Sequence, residues 1–233
     1  MDSTPLFLKK NAPSFLPFFK AEALALREME ETHTIRVPRV ITWGETELSS
    51  FLVLEFIPEG APTASEQEKM GTLLAQMHRT PREHFGWSQD NCIGATPQPN
   101  PYSTNWVSFY KDYRLHHQFG LAEKKGRLFE GKKHLLNNID SFFVNYTPVP
   151  SLLHGDLWGG NASYTPKGEP FIFDPATYYG DREADIAMTY LFGGFNADFY
   201  KGYEWEWPLP EVRTIIFIEA VANSGLHKNN YPT

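Results

Sequence analysis

Cysteine is nearly absent: Cys92 is the only one in 233 residues. That excludes an intrachain disulfide and a cysteine-based zinc site, and it sets the expectation of a reducing, cytoplasmic compartment. Long apolar runs are missing too. The strongest stretch near the C-terminus, residues 215–220, contains Glu219 and falls far short of the roughly 18 residues a membrane helix needs. The N-terminus, MDSTPLFLKKNAP, lacks the basic start, apolar run and small-residue cleavage site of a secretory signal. Basic residues are outnumbered, with 21 Lys+Arg against 28 Asp+Glu and a net charge of −7. A general binder of phosphate backbones needs a basic face, so neither a nucleic acid nor a membrane is expected as partner. Internal repeats and low-complexity tracts are also lacking, and nothing in the sequence speaks to oligomeric state.

The apolar material, 41% of the chain with 15% aromatic, suffices for the core of one large domain or two small lobes. Early in the chain, residues 6–9 read as a strand, residues 20–29 (KAEALALREM) as a helix, and residues 36–43 and 50–57 as strands joined by a turn at 44–47. Pro58-Glu59-Gly60-Ala61-Pro62 breaks this pattern and marks the expected lobe boundary, dividing residues 1–58 from 59–233. Beyond it, residues 65–79 place Met70, Leu73, Leu74 and Met77 on one helical face. Residues 85–104 read as a long loop. Residues 105–117 form a helix with Trp106, Phe109, Tyr110, Tyr113 and His117 on one stripe, and residues 132–146 form another. Short apolar runs at 151–153 and 171–173 flank a turn at Pro166-Lys167-Gly168, and residues 184–192 return to helix.

The stretch HGDLWGGNASYTPKGEPFIFD, residues 154–174, carries the chemistry. Asp156 precedes Asn161 by five positions, and Asp174 ends an apolar strand eighteen positions after Asp156. The spacing H-x-D-L-x-x-x-N is that of a kinase catalytic loop. Phosphoryl transfer needs a carboxylate to orient and deprotonate the attacking hydroxyl, together with oxygen ligands for Mg²⁺. As a hard cation, Mg²⁺ suits the carboxylate and amide oxygens that Asp174 and Asn161 offer. A strand–loop–strand hairpin would bring both near Asp156.

HGDLWGGN, FIFDPATYYGDREADIAMTYLFGGF, TIRVPRVI, FLVLEFI and DNCIGATPQPN together resemble the fructosamine kinase (ketosamine-3-kinase) family, over about residues 6–210. Trp158 after His-Gly-Asp-Leu favours this branch over the aminoglycoside type, which more often has His-Pro there. The resemblance implies an α+β, protein-kinase-like fold in two lobes, the N-lobe small, β-rich and incomplete, the C-lobe larger and helical. It also implies ATP- and Mg²⁺-dependent phosphorylation of the 3-hydroxyl of ketosamines, either small molecules or glycated protein lysines, in the service of protein deglycation. Asp156 then matches the catalytic base, and Asn161 and Asp174 the Mg²⁺ ligands. Lys9 matches the lysine that steadies the nucleotide phosphates, with Lys10 as the competing residue. Glu22 matches the ion-pair partner of that lysine, and Glu55, Phe56 and Ile57 the hinge whose backbone meets adenine. Asp185 matches an aspartate that buttresses the catalytic loop through its backbone.

Other residues have blander readings beside sharper ones. His154 is expected to donate to a backbone carbonyl rather than to move protons. Asp181 is either a structural ion-pair partner or an attractor of the substrate's cationic amine. The Trp205-Glu206-Trp207 cluster lines a sugar pocket or forms a surface lid. His78 is expected to be packed, His116 and His117 complete no metal set, and Cys92 is expected to be a small buried hydrophobe. Only eight residues precede Lys9, so the family's Gly-rich hairpin is expected to be missing, and residues 211–233 diverge from the family. The rival functions are another small-molecule kinase of this fold, of the aminoglycoside or choline type, or an inactive binding module.

Overall fold

Alternation and helix propensity build the first part of the molecule. In the computed structural model, which describes residues 5–209, strand β1 (Leu6–Asn11) is followed by a short 3₁₀ turn and helix α1 (Leu16–Glu30). Pro17 sits in the first turn of α1, where its missing N–H costs nothing. The alanines Ala21, Ala23 and Ala25 are buried beside Phe19, Leu26 and Met29, and their small side chains let the helix lie close to its neighbours. Strands β2 (Val40–Glu45) and β3 (Ser50–Glu55) complete an antiparallel sheet in the order β1-β3-β2. Along β3 the buried residues alternate as Ser50, Leu52 and Leu54.

The expected strand over 36–43 begins only at Val40. Pro38 lacks an N–H for the ladder. Arg36 pairs elsewhere: its carbonyl accepts the Ile172 N–H at 3.0 Å, which joins this linker to the second half of the molecule. Gly60 makes a similar link, donating its N–H to the Tyr164 carbonyl at 2.7 Å.

The second part is mainly helical. Helix α2 (Ala64–His78) packs on α7 (Ala197–Glu206). Gly71 and Gly202 set that distance: a Cβ on either would lie 1.9 Å from a carbonyl oxygen of the facing helix. The expected loop over 85–104 contains a small hairpin, β4 (Asn91–Ile93) and β5 (Thr96–Gln98), closed by Gly94-Ala95. Residues 106–124 form one helical rod, α3 (Trp106–Phe109), a π-helical stretch Tyr110–His116 and α4 (His117–Lys124). The wider π turn shifts the phase of the apolar stripe. Beyond Tyr110 the buried residues are Arg114, Leu115, Phe119 and Ala122, while Tyr113 is exposed. The expected helix over 132–146 is likewise shorter. Helix α5 (Lys132–Asn138) stops where the Asn138 amide donates to the His134 carbonyl at 2.7 Å, and a 3₁₀ turn follows.

Two further antiparallel pairs finish the scaffold. Strand β6 (Ser151–Leu153) pairs with β9 (Tyr178–Gly180), and β7 (Ala162–Tyr164) pairs with β8 (Pro170–Ile172). Helix α6 (Glu183–Phe192) then runs from β9 into the core. One apolar cluster extends from Phe19 in α1 to Tyr203 in α7, so sheet and helices share a core. Among the described residues no helix is long and apolar enough to cross a membrane. The expectation about residues 211–233 falls outside the described residues.

Candidate active site

The loop between β6 and β7 carries Asp156 and Asn161, and the segment between β8 and β9 carries Asp174. Backbone hydrogen bonds knit the two together. Phe173 N–H donates to the Asn161 carbonyl at 3.0 Å, and Ala176 N–H to the His154 carbonyl at 2.8 Å. Gly155, at φ +81°, permits this approach, because a Cβ there would lie 2.1 Å from the Ala176 oxygen. Asp174 itself adopts a left-handed φ of +58°, a conformation aspartate tolerates better than most residues.

His154 is fully buried, and its partners define its tautomer. Nε2–H donates to the Phe173 carbonyl at 2.9 Å, and Nδ1 faces the Asp156 N–H at 3.3 Å. Burial lowers its pKa, with the Asp185 carboxylate opposing, so the ring is neutral at pH 7. Behind the loop lies a buried relay. Asp185 accepts the His154 N–H at 2.6 Å and the Gly155 N–H at 2.8 Å. It also accepts His78 Nε2–H at 3.1 Å, and His78 Nδ1 accepts the Tyr203 hydroxyl at 2.7 Å. The loop carrying Asp156 is thereby fastened to α6, α2 and α7.

A cavity of about 350 Å³ gathers Lys9, Lys10, Glu22, Asp156, Asn161 and Asp174 on its walls. Lys9 Nζ lies 2.7 Å from Glu22 Oε1 and also contacts Asp174 Oδ1. Burial acts against the Lys9 ammonium, but the Glu22 and Asp174 carboxylates outweigh it and raise its pKa. Burial also raises the Glu22 pKa, against the pull of Lys9. Lys9, rather than Lys10, is thus the lysine that meets both acids. Asn161 donates its amide nitrogen to the Asp156 carbonyl at 2.8 Å and to Oδ2 at 3.2 Å, which leaves its amide oxygen as a ligand atom. Together with the Asp174 carboxylate this is a hard-oxygen donor set suited to Mg²⁺, sparse enough to leave further positions to phosphate and water. Among the described residues no group of three or more His, Cys, Asp or Glu side chains could hold a metal ion.

Other expected residues lie outside this cavity. Glu55 is half-buried, and its carboxylate pairs with Arg36 at 2.7 Å and Arg39 at 3.4 Å. Its N–H is already donated to the Arg39 carbonyl at 2.9 Å. Phe56 is exposed and Ile57 buried. Trp158 precedes the 3₁₀ turn Gly159–Asn161, and its ring lies over Gly160. Asp181 does not face the cavity. It is buried, accepting the Tyr146 hydroxyl at 3.1 Å and the Glu183 N–H at 3.2 Å at the start of α6, which removes it as an attractor of substrate amine. Trp205, Glu206 and Trp207 are not among the residues lining the cavity that holds Asp156. Trp205 is exposed, Glu206 pairs with Arg79, and Trp207 stacks under Arg182 at 3.8 Å.

The rest of the lining escaped sequence reasoning. It includes Phe15, Phe18, Phe19 and Ala21, with Asn91, Cys92 and Gly94 of the β4–β5 hairpin. The signal for that hairpin was present, a two-residue connection opening on glycine. Cys92 is half-buried rather than buried, and burial, reinforced by Glu22, pushes its thiol up to about 11, so it stays protonated. Asn91 is fixed by donating to the Thr177 carbonyl at 2.7 Å and accepting from Gln98 at 2.9 Å and Asn100 at 3.0 Å.

Comparison with known proteins gives a consistent result. A family model described as fructosamine kinase matches residues 1–213. A probable ketoamine kinase of Synechocystis is 45% identical over 198 residues, covering 84% of this chain and 67% of the relative. The chloroplastic protein-ribulosamine 3-kinase of Arabidopsis thaliana is 39% identical over 208 residues, covering 87% of this chain and 63% of the relative. A crystal structure of a candidate fructosamine-3-kinase from Haemophilus somnus superposes with a TM-score of 0.89 at 30% identity, covering 95% of this chain and 76% of that one. An aminoglycoside-3′-phosphotransferase of type VIII, at 18% identity and a TM-score of 0.59, covering 94% of this chain and 84% of that one, shares the fold.

Proposed function

Because this chain belongs to the fructosamine kinase family, we propose that it transfers the γ-phosphoryl group of ATP to the 3-hydroxyl of a ketosamine. The acceptors are fructosamine or ribulosamine adducts on small amines or protein lysines, and the cellular purpose is deglycation, since the phosphorylated adduct becomes unstable. The observation that carries this reading is the single cavity holding Lys9, Glu22, Asp156, Asn161 and Asp174.

Asp156 orients the attacking hydroxyl and takes its proton as the oxygen bonds to the γ-phosphorus and the bond to ADP breaks. Lys9, steadied by Glu22, presents fixed positive charge to the phosphates. The Asn161 oxygen and the Asp174 carboxylate are the groups that would hold Mg²⁺, which neutralises charge on the phosphates. Neutral His154 keeps the loop in shape and moves no proton. Adenine contacts fall to the backbone of residues 55–57, apart from the Glu55 N–H, which is taken.

The test is Asp156→Asn assayed with ATP and a fructosamine. Turnover is expected to fall by about 10³-fold or more while Mg·ATP still raises the melting temperature. Equal loss of nucleotide binding in this variant and in Asp174→Ala would overturn the assignment of roles.

A further inference from the structure

Helix α1 brings Glu22 to Lys9, and where that helix sits decides whether the pair forms. In the structure α1 is fixed at a second point, near its C-terminal end. Glu28 Oε1 accepts the Tyr179 hydroxyl at 2.7 Å and Arg82 Nη2–H at 3.2 Å. Glu28 Oε2 accepts the Trp87 indole N–H at 2.7 Å. Arg82 Nε–H also donates to the Tyr179 hydroxyl at 2.9 Å, and its guanidinium lies over the Tyr179 ring at 5.3 Å from the centroid. The three partners form one unit. Gly86, next to Trp87, exchanges backbone hydrogen bonds with Tyr179 at 2.9 and 2.8 Å.

These contacts close a circuit. Lys9 joins Glu22 to Asp174 at one end, and Glu28 joins the same helix to Tyr179, five residues beyond Asp174, at the other. Glu28 lies six positions after Glu22, roughly 9 Å along the helix axis. Core packing through Phe19, Leu26 and Met29 holds the body of α1, and two polar attachments that far apart add a fixed height and direction against the segment carrying Asp174. The two are unequal when nucleotide is handled. A metal ion held by Asp174 would compete with Lys9 for that carboxylate, whereas the Glu28 contacts would be untouched by it.

We propose that Glu28 is a positioning residue for phosphoryl transfer: through Tyr179, Trp87 and Arg82 it holds α1 so that Glu22 keeps Lys9 aimed at the phosphates. Glu28 touches neither substrate nor reacting atoms and does not line the cavity. The proposal rests on the kinase reading above, and the experiment separates the two.

Wild type, Glu28→Ala, Glu28→Gln and Tyr179→Phe are compared at a temperature well below every melting midpoint, by Mg·ADP titration calorimetry and by steady-state kinetics with ATP and a fructosamine. Glu28→Ala is expected to weaken Mg·ADP binding and raise KM for ATP by about fivefold or more, with KM for the fructosamine within about twofold of wild type. Glu28→Gln keeps one acceptor oxygen and the side-chain length but turns an NH2 toward a donor, and it is expected to recover part of that loss. Tyr179→Phe, which loses one hydroxyl and keeps the ring, is expected to raise the Mg·ADP Kd by about two- to threefold. If Glu28→Ala melts earlier yet binds Mg·ADP as wild type does, the role is structural and the proposal fails. Glu28→Gln as impaired as Glu28→Ala would overturn it as well. Should Glu28→Ala not fold, an unchanged Kd in Tyr179→Phe decides against it. Absence of ATP-dependent phosphorylation by the wild type sinks the kinase reading instead, and the Mg·ADP titrations still judge Glu28.

Discussion

Strand β1 leaves five of its six residues exposed, with only Lys9 partly covered, whereas β6 and β9 bury all three of their residues. The cavity is built from both kinds of support. Asp156 sits on a loop whose backbone is held by Asp185, His78 and Tyr203, all buried. Lys9 sits on a thin strand held by its ladder to β3 and by its ion pairs with Glu22 and Asp174. One half of the site is therefore coupled to global stability, and the other depends on charge. Substitutions in the first half should damage folding and turnover together, and those in the second should damage turnover alone.

Asp185→Ala breaks the first half. It leaves the buried His154 and Gly155 N–H groups and the His78 ring without their acceptor. A loss of about 3–5 kcal/mol is expected in urea melts, together with loss of activity. A melt unchanged from wild type would erase the distinction between the two halves. Lys9→Met probes the other half. It should raise KM for ATP by about tenfold or more and lower kcat, with a much smaller shift in the melting midpoint than Asp185→Ala produces.

Titration sharpens the contrast with a smaller effect. The His154 pKa is lowered in the fold from an ordinary 6.5, by burial first. Between the lowered value and 6.5 the unfolded chain binds more protons, so this residue's contribution is intact above 6.5 and is lost as the pH falls below it. Protonation at Nδ1 would also cost the contact with the Asp156 N–H. Glu22, whose pKa is raised, acts in the opposite sense. The measurement is therefore the difference between wild type and His154→Gln in urea midpoints from pH 7.5 to 5, with wild type expected to lose more toward acid. The smallest effect is expected at Trp205, 86% exposed. Trp205→Ala should change stability by about 0.5 kcal/mol or less and leave fructosamine KM unaltered.

Both halves, with Asp156 on one and Lys9 and Glu22 on the other, were legible in the sequence, but other parts of the site and scaffold were not. Residues 154–174 were legible because their spacing is set by chemistry, and His154 and Asp185 make the backbone contacts expected of them. Helix α2 followed from its periodicity, α1 from its strong helix formers and β3 from an apolar run next to a turn. The β4–β5 lining of the cavity was not legible, because a three-residue strand such as β4 has too few positions to show alternation and only its glycine turn marks it. The π-helical turn at Tyr110–His116 broke the 3.6-residue period on which the aromatic stripe was drawn. In the sequence Asp181 reads either as a structural ion-pair partner or as an attractor of substrate amine, and its contact with Tyr146, thirty-five residues away, is one that no local pattern shows. The Glu28 contacts with Trp87 and Tyr179 are likewise long-range, and no local pattern announces them.

In most strands a buried apolar face decides which residue stands opposite which, and a slip of one position would turn that face to water. Strand β1 lacks such a face, since Leu6, Phe7 and Leu8 are all exposed. Its alignment opposite β3, with Lys9 across from Leu52, is enforced by the ladder and by one ammonium group reaching two carboxylates. A shift by one residue would offer Glu22 either a leucine or the neighbouring lysine, so the side chain assigned to the phosphates also serves as the peg that indexes its own strand.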